Sequence, residues 1–163
     1  MPITEVKVVN VFVDQKNNVP IVLLQNVEDN NTLPILIAPL EASMIAIELE
    51  NQKPLRPLTH DLIVNILDII SYKVKSILIH DLRDNIYYAK INLVSIDNRL
   101  VEIDSRPSDA IAIALRTKSP IFVDKKLFGS NLSLEKAIDD VDEDTLKELL
   151  EKIEIDDVGG KIM

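Results

Sequence analysis

A chain of 163 residues with 47% hydrophobic and 4% aromatic content, and no Trp, is long enough for one buried core, which has to be aliphatic. The absence of Cys excludes a disulfide framework, a thiolate nucleophile and a Cys-based zinc site. The net charge of −9 argues at first against a polyanionic partner. Its distribution weakens that argument: residues 139–163 hold ten acids against three Lys, whereas residues 1–138 are close to neutral.

The start, Met1-Pro2-Ile3-Thr4-Glu5, has no basic stretch leading into an apolar block, and no apolar run matches a bilayer span. A cytoplasmic protein without membrane association is expected. Val6–Val13 is rich in Val, and Asn17-Asn18 makes a turn before Val19–Leu24. Asp29-Asn30-Asn31 turns again into Thr32–Ile37, which completes a predicted three-stranded meander. Pro20 and Pro34 lack ladder donors and belong at an edge or a strand start. These apolar strands alternate little with polar residues. They suggest a surface covered by a partner copy, so a homo-oligomer, most simply a dimer, is expected.

Helical spacing begins after Pro39 and runs to about Asn51. Pro54 and Pro57 exclude helix from the linker that carries Arg56. Thr59 then has the chemistry of an N-cap, with Asp61 in the first turn and Leu62, Ile63, Ile66, Leu67 and Ile70 as the apolar face. Strands follow at Val74–His80, Ile86–Ser95 and Leu100–Asp104, separated by Arg83-Asp84-Asn85 and Asp97-Asn98. A third helix is predicted from Pro107 to Thr117, with Pro in the first turn where its missing N–H costs nothing. Pro120–Val123 reads as a short strand, and Ser133–Ile138 and Asp142–Ile153 as polar helices. The expected fold is α+β: a mainly antiparallel or mixed sheet with two to three helices on it, as a body of residues 1–138, plus an acidic C-terminal helix and tail at 139–163 in the same globular unit.

Three stretches carry candidate chemistry. His60-Asp61 and His80-Asp81 have the residues of acid–base or metal pairs. Two His are too few for a His-Asp metal phosphohydrolase, and both dipeptides sit where a cap or a turn would use them. The stretch from Pro54 to Asp61 is a stiff loop that brings Arg56 to a helix start. The third, Asp104-Ser105-Arg106-Pro107-Ser108-Asp109, joins a strand to an almost wholly apolar helix. Free backbone N–H groups there point at any bound anion. Arg106 adds a fork suited to phosphate, Ser105 and Ser108 add hydroxyls, and Asp104 and Asp109 suit a metal ion or an activated water. Alternatively, Ser105 caps the helix and Arg106 pairs with Asp109 across one turn.

At these residues the sequence resembles a known family. Ile103–Ala112, followed by Pro120-Ile121-Phe122-Val123, closely resembles the signature of the bifunctional nuclease domain family, in its single-domain prokaryotic form. Three further blocks are similar to it: Leu33–Ile37 with Glu41; Arg56–Leu62; and Ile79-His80-Asp81-Leu82 with Tyr87-Tyr88-Ala89. The likeness covers roughly residues 5–125 and leaves out the acidic end. It implies a nuclease acting on RNA or DNA. On that basis His60, Asp61 and Asp109 are the candidate catalytic residues, and Arg56, Ser105, Arg106 and Ser108 the candidate phosphate ligands. Asp104 and Asp109 are the candidate ligands of a Mg²⁺ or Mn²⁺ ion. The competing reading is a non-enzymatic anion- or nucleotide-binding module, or an oligomeric assembly module.

Overall fold

The computed structural model describes residues 2–14 and 18–129. The two expected C-terminal helices and the acidic segment lie outside the described residues. The meander is as expected: β1 (Ile3–Asp14), β2 (Val19–Asn26) and β3 (Thr32–Leu36) pair antiparallel in sequence order. Pro34 lies on β3, an edge strand, and Pro20 is the second residue of β2. Asn18 and Asn30 take positive φ at the two turns, a conformation that Asn tolerates better than most residues.

The chain then makes α1 (Pro39–Leu49) and α2 (Thr59–Ile69), followed by β4 (Tyr72–Arg83), β5 (Ile86–Ser95) and β6 (Leu100–Ser105). Asp84 and Asn85 both have positive φ, as a two-residue hairpin turn between twisted strands requires. α3 (Pro107–Thr117) carries the chain from edge strand β6 back to β7 (Ile121–Asp124), which inserts between β1 and β4. The strand order is β3-β2-β1-β7-β4-β5-β6, and β4–β7 is the parallel pair in an otherwise antiparallel sheet. The fold is α+β with a mixed seven-stranded sheet.

The crossover sets the architecture. α3 lies over β4 and β5 and is flanked by α1 and α2. Its residues Ala110 to Ala114 are all buried. Alternating Ala and Ile let it approach the sheet closely, and with Ile77, Ile79, Ile91, Leu93 and Val123 it forms the centre of an aliphatic core. The apolar β2 residues Ile21 to Leu24 are 0–2% exposed within this one chain, so they are not the partner surface inferred from their composition.

α2 departs from expectation in two ways. Its N-cap is Leu58, with Thr59 already in the first helical turn. The Asp61 carboxylate accepts the Leu58 N–H at 2.8 Å and so supplies the cap from within the helix. Its apolar stripe also does not face the core. Val64 and Leu67 pack inward, while Leu62, Ile63, Ile66 and Ile70 are exposed. The periodicity identified an amphipathic helix correctly, but the core takes only its narrow inner edge.

Candidate active site

The site is assembled from the first turns of three helices. Arg106 is the N-cap of α3 in an extended conformation, Pro107 is its first helical residue, and Asp109 lies in its first turn. Pro107 has no N–H, and the N–H groups of Ser108 and Asp109, also in the first turn, have no intrahelical acceptor. Ser105 does not cap the helix: its hydroxyl donates to the Arg106 carbonyl at 2.8 Å. The alternative pairing is present, since Arg106 donates through Nε and Nη2 to the two oxygens of Asp109 at 2.7 and 3.1 Å.

Two more helix starts meet this fork. Glu41, in the first turn of α1, accepts from Arg106 Nη1 at 2.9 Å. His60, buried at the start of α2, places Nε2 2.9 Å from Asp109 Oδ1. With Asp109 ionised, Nε2 donates to it, and the remaining ring nitrogen is Nδ1. That atom is buried and makes no hydrogen bond among the described residues. The positive ends of three helix dipoles therefore converge on two carboxylates and one guanidinium. Burial pushes the Asp109 carboxyl up, but the Arg106 and His60 hydrogen bonds and charges outweigh it and hold Asp109 below the ordinary carboxylate value. Asp109, and after it Glu41, raise the Arg106 guanidinium, which stays charged.

This network faces a cleft of about 890 Å³. Its floor is aliphatic, with Met44, Leu67, Ile91, Leu93 and Ile113, and its polar wall is Glu41, His60, Asp104, Ser105, Arg106 and Asp109. Among the sequence candidates, His60, Asp104, Ser105, Arg106 and Asp109 thus share one cleft. Ser108 is buried and lines a second, smaller cavity beside it. Asp61 is directed elsewhere: Arg116 Nε donates to it at 2.8 Å. Burial raises its carboxyl, and the Leu58 N–H and then Arg116 outweigh that and hold it low. Arg56 sits in an exposed loop and lines neither cavity. Asp81 pairs with Arg83 and Lys126 rather than with this cluster.

The donor set does not fit a Mg²⁺ or Mn²⁺ ion held by Asp104 and Asp109. Both oxygens of Asp109 are engaged by Arg106, whose charge repels a cation at that position. No group of three or more His, Asp or Glu is placed to hold a metal among the described residues.

Two residues that matter here were not singled out as catalytic or binding residues. Glu41 stood in a matched block, and an acid in a helix first turn is a signal only for a cap. Arg116 had a clearer signal, as the lone charge ending an apolar helix.

The family model of the bifunctional nuclease domain matches residues 22–134. An uncharacterized protein of Mycobacterium tuberculosis is 36% identical over 162 residues, which cover 94% of this chain and 96% of that protein. Bifunctional nuclease 1 of Oryza sativa subsp. japonica is 30% identical over 101 residues, 61% of this chain and 30% of the rice protein. Bifunctional nuclease 1 of Arabidopsis thaliana is 31% identical over 101 residues, 61% of this chain and 31% of the plant protein. The chain thus spans about a third of the plant proteins that it matches. No described helix is long and apolar enough to cross a membrane.

Proposed function

The chain belongs to the bifunctional nuclease domain family, and we propose from that premise that it hydrolyses phosphodiester bonds in RNA or DNA at the α3 N-terminus. The observation that carries this reading is the position of Arg106. Its side chain is 63% exposed, it is held by two carboxylates at the meeting of three helix starts, and cavities open on both sides of it. A phosphate is the natural competitor for that fork. Ser108 and the free N–H groups of α3 add donors where charge develops in the transition state, and the Ser105 hydroxyl would join them by turning from the Arg106 carbonyl.

Arg106 also links binding to base strength. While it holds Asp109, that carboxylate is a weak base. A phosphate that draws Arg106 away removes the leading interactions that depress Asp109, and burial then pushes its proton affinity up. Asp109, hydrogen-bonded to His60, takes a proton from the attacking water. The water oxygen bonds to phosphorus, the bond to the leaving oxygen breaks, and the proton returns to that oxygen. Asp61 contributes by holding the start of α2, and therefore His60, in place.

The test is cleavage of single-stranded RNA and DNA by purified protein. Arg106→Ala and Asp109→Asn should both lose activity while remaining folded, as read by circular dichroism. Equal cleavage by the wild type and both variants would assign the activity to a contaminant and overturn the reading.

A second reading has its own observation. Leu62, Ile66, Ile69 and Ile70 are exposed apolar residues on and just after α2. Such a surface favours assembly, and we propose a homo-oligomer, most simply a dimer, closed through it. A module that only binds an anion or nucleotide and assembles would keep this surface and lack cleavage. A cytoplasmic location, expected from the cysteine-free composition, belongs to the same proposal.

A further inference from the structure

Two cavities meet at the α3 N-terminus, and Glu41 and Arg106 line both. Their 2.9 Å ion pair is the partition between them. The smaller cavity, of about 280 Å³, is walled by the end of β3, by Ala38 and Tyr87, and by Pro107 and Ser108. Its chemistry differs from that of the large cleft. Apart from the shared Glu41 and Arg106 it has no charged lining residue, and Tyr87 gives it the aromatic surface that the large cleft lacks.

Ser108 gives this cavity a hydroxyl in its wall. The residue is 6% exposed, yet its hydroxyl has no hydrogen-bond partner among the described residues, and it is not among the side-chain atoms sealed from solvent. The hydroxyl is open to the cavity, so it is free to bond water or a ligand oxygen that enters there. It stands at the second helical position of α3, beside the free N–H groups and within the same wall as Arg106.

We propose that the smaller cavity is a second subsite of the same active site, and that the ligand is a single strand crossing the Arg106–Glu41 partition with a nucleoside on each side. This rests on the nuclease reading above. A phosphodiester inside a strand carries a nucleoside on both of its ester oxygens, so a site that cuts there needs room on both sides of the phosphorus. A site that removes only terminal nucleotides needs a pocket on one side and a stop on the other. Here the partition is an exposed arginine rather than packed backbone. When its fork turns to the phosphate, the two cavities become one channel across the helix start. The Ser108 hydroxyl and the α3 N–H groups then face the phosphate from the small-cavity side, and the base beyond it lies against Tyr87.

The experiment uses a short RNA blocked at both ends and the same RNA with free ends. Internal cleavage of the blocked strand is expected. Release of mononucleotides from free ends only would overturn the second subsite and leave the nuclease reading standing. Failure to cut either strand would overturn the nuclease reading itself. Ala38→Trp fills the small cavity at an exposed position whose extended backbone Trp adopts readily. It should raise KM for the blocked strand roughly tenfold or more at an unchanged melting temperature. Ile86→Asp, at an exposed position on the same rim, should act in the same direction by placing a carboxylate there and serves if the Trp variant does not fold. An unchanged KM in a folded variant would overturn the proposal.

Discussion

Helix α3 carries an arginine near each end, and each reaches carboxylates with the help of the same two neighbouring helices. At the C-terminal end Arg116 donates to Asp61 of α2 and to the Met44 carbonyl of α1, with Glu48 at 3.8 Å. At the N-terminal end Arg106 donates to Glu41 of α1 and to Asp109, which in turn holds His60 of α2. The partners are alike and the surroundings are not. The Arg116 side chain is 4% exposed, whereas that of Arg106 is 63% exposed and open to cavities on both sides. A sealed ion pair has nothing to exchange its partner for, so it serves the fold. An open one can trade a carboxylate for a phosphate, so it serves binding.

The largest effect should come from breaking the sealed pair. Arg116→Ala leaves the partly exposed Asp61 without its cation and removes an almost fully buried side chain, and should cost about 2–3 kcal/mol. That is a fall in melting temperature on the order of 10 °C, read by calorimetry, with activity per folded molecule retained. A loss below about 1 kcal/mol would place Arg116 with ordinary surface pairs and remove the contrast.

Breaking the open pair should show the reverse profile. Arg106→Ala should lower kcat/KM by about 10²–10³-fold, the usual loss for one transition-state donor. Its stability should fall less than that of the Arg116 variant, by about 1–2 kcal/mol. Arg106→Lys keeps the charge but loses the fork; it should fold normally and recover little activity. Full activity in the Lys variant would mean that charge alone, not bidentate geometry, is used.

The pH dependence of stability sharpens the contrast further. The folded-state pKa of Asp61 is depressed. Its contribution is therefore fully present above the unfolded value of about 3.9 and is lost as pH falls through the lower folded value. Asp61→Asn should flatten that acid limb of the melting curve and leave its shape near neutrality alone. An acid limb as steep as that of the wild type would show that the Asp61–Arg116 pair is not its source.

The smallest effect on stability belongs to the outer face of α2. Ile66→Asp should change the melting temperature of an isolated copy by no more than about 0.5 kcal/mol equivalent. It should convert a dimer to a monomer in light scattering. A monomeric wild type at micromolar concentration would remove the assembly proposal and leave both arginine sites as they are.

Local chemistry was legible wherever the signal was local. The bounds of α3, the two-residue turn at Asp84 and Asn85, and the Arg106–Asp109 pair one turn apart all follow from residues within a few positions of each other. Contacts across the chain were not legible. His60 and Asp109 are 49 positions apart, Asp61 and Arg116 are 55 apart, and Glu41 and Arg106 are 65 apart. His60 and Asp61 are adjacent and looked like one site. The rotation of about 100° between consecutive helical residues sends them to opposite ends of α3. Likewise Ser105 and Ser108 looked equivalent, and only packing leaves one bonded to its own backbone and the other unpartnered beside a cavity.

By itself, the sequence determined an aliphatic α+β domain, an order of elements, and a buried helix that begins at an anion-friendly turn, because spacing, proline and turn residues act over short range. Tertiary structure decided which carboxylates meet which arginine, which apolar stripe stays outside, and where the cavities open. Those depend on how the α3 crossover sets three helix starts against one another, a matter of long-range packing that no local pattern encodes.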